Sequence, residues 1–471
     1  MVNRMNLVFD ANIGKELTGR LALEIDAMRW GTNPGEGSGG SGTQGDGRTG
    51  RWRTDATGIE VKHAYFDAAL PYFGIPVPMT IRVGIQPLGY RPHILMITDG
   101  AGVTGGIKID PVLIAPMWAK PIEGKDTVSD DVDVVGLQAT VKVGTLSIGG
   151  YGIYWNMNTY PLNQAPASFG GGPGNQVTAY GVTPLNKADF WWAGVFVDGK
   201  AGPLNIQFDG ILDRGEVQRR HVYTEGGTPA RDVQYQGFVT RLKIEYPWEK
   251  LSFGGVGVYG SGADLHRTGI NGLPGEHVAN ERDSRPFDNP VTHQQLNTAS
   301  KVSSFVVPPG SEQAGITGDD FFIFGNFVTL EAAPLNYSTS SGTLTNVVHR
   351  GSYGGLWFLK AFAGYKVAPW YKVTIEALYL GDTTKAGNTF GNAVTTDRFR
   401  KLKDDDDIGW EFNIINEINI YKNLKWDLGA GYLIAGDALD MMVANTTINP
   451  IRYNKSPHNP WIVASKLRYT F

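Results

Sequence analysis

Apolar and polar residues alternate along successive segments of about ten residues, from one end of the chain to the other. Near the start, Leu7 and Phe9 occupy odd-numbered positions and Asp10 occupies an even-numbered position. Near the end, Leu428 and Ala430 occupy even-numbered positions and Asp427 occupies an odd-numbered position. Successive side chains on a β-strand point to opposite faces, so each segment predicts a strand with one apolar and one polar face.

The alternating segments number seventeen, and those that Gly and Pro interrupt, 103–110 and 112–122, have the weakest pattern. The predicted strands cover residues 2–13, 17–30, 59–70, 79–88, 103–110, 112–122, 134–143, 146–156, 189–198, 204–213, 233–246, 251–261, 353–366, 371–381, 408–420, 424–435 and 458–471.

Short and long connections follow one another along the chain. The short ones are residues 14–16, 144–145, 199–203, 247–250, 367–370 and 421–423. The long ones include residues 31–58, 157–188, 214–232, 262–352, 382–407 and 436–457. Short periplasmic turns and long extracellular loops are typical of outer-membrane barrels. The pattern therefore predicts an all-β fold, a transmembrane antiparallel β-barrel of 16–18 strands that forms a single domain over residues 1–471.

The odd strand count bears on how such a barrel would close. With seventeen strands the first and last run in the same direction, whereas bacterial single-chain barrels close with even numbers of antiparallel strands. One interpretation is that an eighteenth strand precedes Met1. The other is a miscount in residues 89–133 or 262–352.

Composition narrows the function classes. The chain has no cysteine, which excludes disulfides, thiolate nucleophiles and Cys-ligated metal sites. A net charge of −4 without a basic stripe argues against a nucleic-acid partner. The eight histidines show no metal-ligand spacing and no nucleophile–base arrangement, so we expect neither an enzyme nor a cofactor. Met1 is followed by a polar alternating segment instead of an apolar signal sequence.

The polar face of each strand carries ionisable residues of both signs. On an inner wall such groups need water or partners, and a barrel of this size leaves an aqueous bore. The sequence therefore predicts a pore lined by charged residues, although any one of them could serve only to pair across strands. The predicted lining comprises Arg4, Arg20, Glu24, Asp26, Arg82, Lys108, Lys142, Asp209, Arg241, Lys243, Glu245, Lys372, Glu376, Glu411, Glu417, Lys425, Asp427, Lys466 and Arg468.

The final segment has apolar residues at alternate positions and ends in an aromatic residue, Phe471. It resembles the C-terminal signature of outer-membrane proteins. Together with residues 82–87 (RVGIQP) and 428–432 (LGAGY), it makes the whole chain similar to the large porins of Gram-negative bacteria. The resemblance implies an outer-membrane location, a homotrimer, and a pore narrowed by an inward-folded loop. The candidates for that loop are residues 89–133 and residues 262–352, which contain the apolar run 321–328.

These observations predict an outer-membrane porin for passive diffusion of small hydrophilic solutes through a mixed-charge pore. Two alternatives remain at the sequence level: a barrel that sheaths or anchors a cytochrome or surface-layer protein, and a polysaccharide exporter. The expected surroundings are the lipid bilayer and lipopolysaccharide. The acidic runs at 126–133 and 404–407 lack the spacing of a calcium loop, so we interpret them as solvated loops and not as metal sites.

Overall fold

A computed structural model describes residues 2–14, 16–29, 59–70, 77–123, 131–160, 162, 186–218, 232–264, 301–311, 348–395, 402–444 and 452–471. Nearly all of its regular structure is β-strand. The strands are β1 (Val2–Ile13), β2 (Leu17–Arg29), β3 (Glu60–Leu70), β4 (Met79–Tyr90), β5 (Met96–Ile109), β6 (Val112–Ile122), β7 (Val132–Val143), β8 (Leu146–Tyr160), β9 (Asn186–Ala201), β10 (Leu204–Gln218), β11 (Val233–Trp248), β12 (Leu251–Gly260), β13 (Lys301–Val302), β14 (Leu356–Ala368), β15 (Tyr371–Asp382), β16 (Asp407–Tyr421), β17 (Leu424–Ala435), β18 (Met441–Ala444), β19 (Arg452–Lys455) and β20 (Trp461–Tyr469).

One sheet contains eighteen of these strands, and β18 and β19 form a separate pair. The seventeen long strands of the large sheet pair antiparallel in chain order, with β12 next to β14 and β17 next to β20. The eighteenth, β13, has two residues and pairs parallel with β11. The sheet is therefore the antiparallel architecture that the alternation predicts.

Strands β1 and β20 are the two edges of this sheet in the described register. Both run towards the end of the sheet that carries the tight turns, such as Gly14 between β1 and β2, and we name this the short-turn end. The opposite end is the long-loop end. The pairings of the described residues include none between β1 and β20. A direct pairing of these two strands would be parallel, which is the consequence of an odd number of long strands.

The two faces of the sheet differ in chemistry and in exposure. On one face large apolar side chains such as Val195, Leu359 and Ile375 are more than half exposed. On the other face, residues of the same strands such as Phe190 and Phe358 are fully buried. We call the buried face the inner face, since side chains from non-adjacent strands meet there. An apolar outer surface with every backbone group paired strand to strand is what a bilayer requires of a β-structure.

Aromatic side chains mark the short-turn end of the outer surface. Trp248, Trp370, Tyr421, Tyr469 and Phe471 are all more than half exposed, and all lie at or beside tight turns or the end of β20. Amphipathic rings at one level are typical of the aromatic belt at the headgroup region of a membrane. Among the described residues, no helix has both the length and the apolar character needed to cross a bilayer.

The bounds of the long strands agree with the alternation within a few residues, with the largest difference at β4 and β5. Strand β10 extends to Gln218, and the short strands β13, β18 and β19 lie in segments predicted as long connections. The sequence predicts a loop from residue 89 to residue 102, whereas β4 continues to Tyr90 and β5 begins at Met96. Pro92 and several glycines in this stretch, together with Pro87 just before it, are typical strand breakers. Strand β4 pairs with β3 only as far as Ile85, so a proline at position 87 removes no ladder hydrogen bond on that side.

Candidate functional site: the interior of the barrel

The inner face has two zones along the strand direction. Near the short-turn end it is polar, with Arg82 on β4 and Asp198 on β9. Towards the long-loop end the same strands present Tyr90, Trp192 and Phe190, which are buried in a continuous apolar cluster. The interior therefore combines a charged wall at one end with a packed apolar core at the other.

The first part of the charged wall spans β1 to β4. Arg20 donates to both carboxylate oxygens of Asp10, at 2.7 and 2.9 Å. Arg82 does the same to Asp67, at 2.7 and 3.0 Å, and its guanidinium lies 4.2 Å from the ring centre of Tyr65. Both bidentate pairs join residues on adjacent strands, so they cross-link the wall. Each pair combines one positive and one negative charge and therefore adds no net charge.

A second charged series crosses β15, β16, β17 and β20. The Glu417 carboxylate lies 3.3 Å from Lys372 Nζ and accepts from Lys425 Nζ at 2.8 Å. Asp427 lies 3.0 Å from Lys425 and 3.8 Å from Arg468. Each of these side chains retains partial solvent access. Alternating signs across four strands give a wall that is both ionised and hydrated.

Several predicted lining residues are buried among protein groups. Lys360 Nζ lies 3.1 Å from Glu376, whose second oxygen accepts from Asn413 at 3.3 Å. Asn413 also donates to Glu411, which is fully buried. On β2, buried Glu24 lies 3.1 Å from Lys62 Nζ. Glu24, Glu376 and Glu411 thus belong to polar networks within the wall.

The remaining predicted lining residues have different surroundings. The side chains of Lys108, Lys142 and Lys466 are exposed and form no ion pair with the described residues. Lys243 Nζ lies 5.9 Å from the ring centre of Phe362, and Glu245 is half-buried near the end of β11. The side chains of Arg4 and Asp26 lie outside the described part of the chain, although their backbones belong to β1 and β2.

The ends of β4 and β5 leave the wall. Strand β3 pairs with β4 only through Ile85, and β6 pairs with β5 only from Gly102 onwards. Residues 86–101 therefore pair only within the ladder between β4 and β5, and we name them the inner hairpin. The tip reaches strands β8 to β10, which we name the far wall. There the Tyr90 ring lies 5.5 Å from that of Tyr151 on β8.

Arg91, at the tip of the inner hairpin, binds two carboxylates on the far wall. Its Nε donates to Asp209 on β10, while Nη1 and Nη2 donate to Asp198 on β9, the latter at 3.0 Å. The guanidinium lies 4.6 Å from the ring centre of Phe196. Asp209 is buried, and the partly exposed His93 Nε2 lies 3.4 Å from its second oxygen. The guanidinium thereby ties the hairpin to two adjacent strands.

Residues 301–311, which we name the inner strap, lie against the same wall. The buried Asp213 carboxylate accepts from the backbone N–H of Val306 at 3.2 Å and from that of Gly237 at 3.0 Å. Trp192 Nε1 donates to the carbonyl of Val306 at 2.8 Å. These contacts satisfy strap backbone groups that would otherwise be buried without partners.

The inner hairpin and the inner strap meet at Ser311. Its hydroxyl donates to the carbonyl of Leu95 at 3.0 Å and accepts from the N–H of Ile97 at 3.4 Å. Residues 89–101 of the hairpin and the whole strap fall within the regions predicted to narrow the bore, whereas the apolar run 321–328 lies outside the described residues. They cover the apolar inner surface that β8 to β11 present.

The sequence did not single out Arg91 or Asp198, and it indicated the inner strap only as part of the broad range 262–352. A signal for them exists in β9, where Trp191 and Trp192 both sit in a strand that is apolar on two faces. A strand with two apolar faces is covered on both sides, so protein must lie inside the barrel next to it.

Comparison with known proteins gives similarity at the level of structure. No family model and no curated protein matches the chain. Among solved structures, OccK5 (OpdH) of Pseudomonas aeruginosa is 11% identical, with a TM-score of 0.42 over 100% of this chain and 95% of that one. OpdK of Pseudomonas aeruginosa, solved with vanillate, is 9% identical, with a TM-score of 0.44 over 99% and 92%. A BenF-like porin from Pseudomonas fluorescens Pf-5 is 10% identical, with a TM-score of 0.41 over 99% and 91%.

Proposed function

We propose that the chain is an outer-membrane pore for the passive diffusion of small hydrophilic solutes. The observation that carries the proposal is the pairing of an apolar, aromatic-belted exterior with an ionised, hydrated inner wall in one large antiparallel sheet. The exterior fits hydrocarbon, whereas side chains such as Lys142 and Glu417 need water beside them. Solutes pass by size exclusion and weak electrostatic interaction with this wall, without a covalent step.

Bilayer recording of the purified, refolded protein tests the proposal. We expect discrete conductance steps and only weak preference for either ion sign, because the wall carries both charges. Vesicles that contain the protein should swell in small sugars and not in large oligosaccharides. A correctly folded barrel that gives neither conductance nor swelling contradicts the proposal. Conductance that appears only with a co-purifying partner would favour a sheath, and strong anion preference would favour an exporter.

We propose that the barrels assemble as homotrimers and that their long loops contact lipopolysaccharide. Support for this comes from the resemblance to large porins and from the loop asymmetry. Mass measurement of the detergent-extracted protein checks the trimer, and retention on lipopolysaccharide-coated beads checks the second contact.

A further inference from the structure

We propose that Arg91 is a latch that holds the inner hairpin across the barrel and thereby sets the width of the path through it. This inference rests on the proposed function, because it assigns the residue that positions the constriction of that pore. Arg91 is a positioning residue: it acts through the hairpin that it fixes.

The inner hairpin is held by buried apolar packing, which does not fix direction, and by a small number of polar contacts. Residues 86–101 have no ladder pairing with β3 or β6, so side chains must fix their position in the interior. Besides Arg91, the described polar attachments are few, and at the tip they include the 3.4 Å contact of His93 with Asp209. Asp99 lies 2.9 Å from His63 and 3.4 Å from Lys62 on β3. Ser311 joins the hairpin to the strap, whose two-residue strand β13 pairs with β11.

Asp99 and Arg91 fix different parts of the hairpin. Asp99 lies near its base and keeps that base beside β3, the strand from which the hairpin departs. Arg91 lies at the tip and reaches strands five and six positions further round the sheet. Loss of the Asp99 contacts leaves the tip bound to the far wall, whereas loss of the Arg91 contacts leaves the tip with the longer contact between His93 and Asp209 there.

The guanidinium suits this role because its donors point in several fixed directions. Nε and the two Nη groups serve Asp209 and Asp198 at once, and the flat face stacks on Phe196. A lysine ammonium is a point charge without this planar fork, so it cannot reproduce the two-carboxylate geometry. Because Arg91 contacts β9 and β10 at the same time, the tip is restricted to a single position along the wall.

Removal of Arg91 also leaves a buried negative charge. Asp209 would retain the long hydrogen bond with His93 at 3.4 Å and the more distant Arg241 Nη1 at 4.0 Å, and it would lose the direct hydrogen bond from Arg91 Nε. A buried carboxylate that loses its nearest cationic donor is disfavoured and draws in water. Water that enters at Asp209 would separate the tip from the wall, which opens the same path that the hairpin now narrows.

The test compares Arg91→Ala with Arg82→Ala. Arg82 is a matched control because it too makes a bidentate pair with a carboxylate and lies over an aromatic ring, but it joins adjacent wall strands. Both variants remove one positive charge from the interior. We expect Arg91→Ala to raise single-channel conductance by at least about twofold and to admit larger sugars, and Arg82→Ala to change conductance far less. Equal conductance in the two variants overturns the latch.

A second readout does not depend on conduction. The chain has no cysteine, so Leu95→Cys, at a fully buried hairpin position, gives a single site for a maleimide probe. We expect slow labelling in an otherwise unchanged barrel and labelling at least about tenfold faster with Arg91→Ala, because access requires the hairpin to open. Unchanged labelling contradicts the latch. Fast labelling in a barrel that never conducts retains the latch and contradicts the proposed function.

Asp198→Asn keeps the proposal testable if Arg91→Ala does not fold. Asp198 is partly exposed, and its loss leaves Arg91 bound to the buried Asp209. We expect folding to survive, with labelling at position 95 intermediate between the parent and Arg91→Ala. Arg91→Lys should fall in the same intermediate range. Parent-like labelling in both variants would show that the tip is held by other contacts.

Discussion

At the scale of the single residue, Gly237 is required by the strap that lies over it. A Cβ at this position would lie 2.5 Å from the carbonyl oxygen of Ser304 and 2.6 Å from the Cα of Phe305. Both atoms belong to backbone, which cannot rotate away. We expect Gly237→Ala to lower the free energy of unfolding by about 1–3 kcal/mol, because the strap must shift off the wall.

Gly152 on β8 supplies the control for this substitution. A Cβ there meets nothing within 4 Å, so Gly152→Ala should leave stability unchanged or slightly raise it. Urea unfolding of the refolded barrels, followed by tryptophan fluorescence, measures both variants. Equal midpoints for the two would mean that the strap does not pack against Gly237 in solution.

His349 makes the stability of the folded state depend on pH. It forms an isolated β-bridge with Val307 of the strap, and its Nδ1 accepts from the N–H of Gly351 at 3.2 Å. Burial, with a smaller contribution from Arg350, lowers the pKa of His349 to about 4. Protonation would place a proton on the nitrogen that now accepts, so the folded state favours the neutral ring.

The sign of the effect follows from that lowered pKa. The unfolded chain binds a proton near pH 6.5 and the folded chain only near pH 4, so stability is complete above pH 6.5 and declines between these values. The loss at pH 4 is on the order of 3 kcal/mol. Thermal unfolding at several pH values should show this decline, His349→Leu should remove it, and exposed His458→Leu should retain it. A decline that persists in His349→Leu must come from other groups.

At the scale of the element, the charged series across β15 to β20 matters more for the charge of the interior than for the stability of the fold. Its side chains are about one third exposed, where ion pairs contribute about 0.2–1 kcal/mol each and salt screens them. Glu417→Gln removes the carboxylate that bridges Lys372 and Lys425 and leaves two cations facing the interior. We expect a stability loss of at most about 1 kcal/mol, together with a reversal potential shifted towards anions.

A salt series separates these two effects of Glu417→Gln. The stability difference should shrink as ionic strength rises, because the Debye length falls to about 3 Å at 1 M salt. The selectivity shift is measured with a salt gradient across the bilayer. No selectivity shift, in a variant that still conducts, would place Glu417 outside the path of the ions.

The sequence predicts the elements of this molecule better than its interior. A strand such as β7 alternates Leu137 and Gln138, and that local pattern fixes strand, face and register together. The inner hairpin lacks such a signal, because its position depends on contacts between Arg91 and residues more than a hundred positions away. Charge alone likewise cannot separate hydrated Lys142 from buried Arg241, since the covering segments decide which of them meets water.

At the scale of the whole molecule, the wall has lipid on one side and polar groups on the other. Consecutive residues of one strand therefore differ in whether they accept a charged side chain. Leu137 is more than half exposed on the outer face, while Gln138 faces the interior. Arginine on the lipid face of a membrane barrel costs about 2–4 kcal/mol at mid-depth. We therefore expect Leu137→Arg to reduce insertion into vesicles sharply and Gln138→Arg to leave insertion nearly unchanged.

Insertion is followed by the fraction of protein that resists protease after mixing with preformed vesicles. The two substitutions add the same charged side chain at consecutive positions of one strand, so net charge and helix or strand propensity are matched. In detergent, whose apolar interior adapts around a single charge, the difference between the variants should be smaller than in vesicles. Equal insertion of both variants would contradict a lipid-facing outer surface at β7, and with it the membrane-spanning arrangement on which the pore depends.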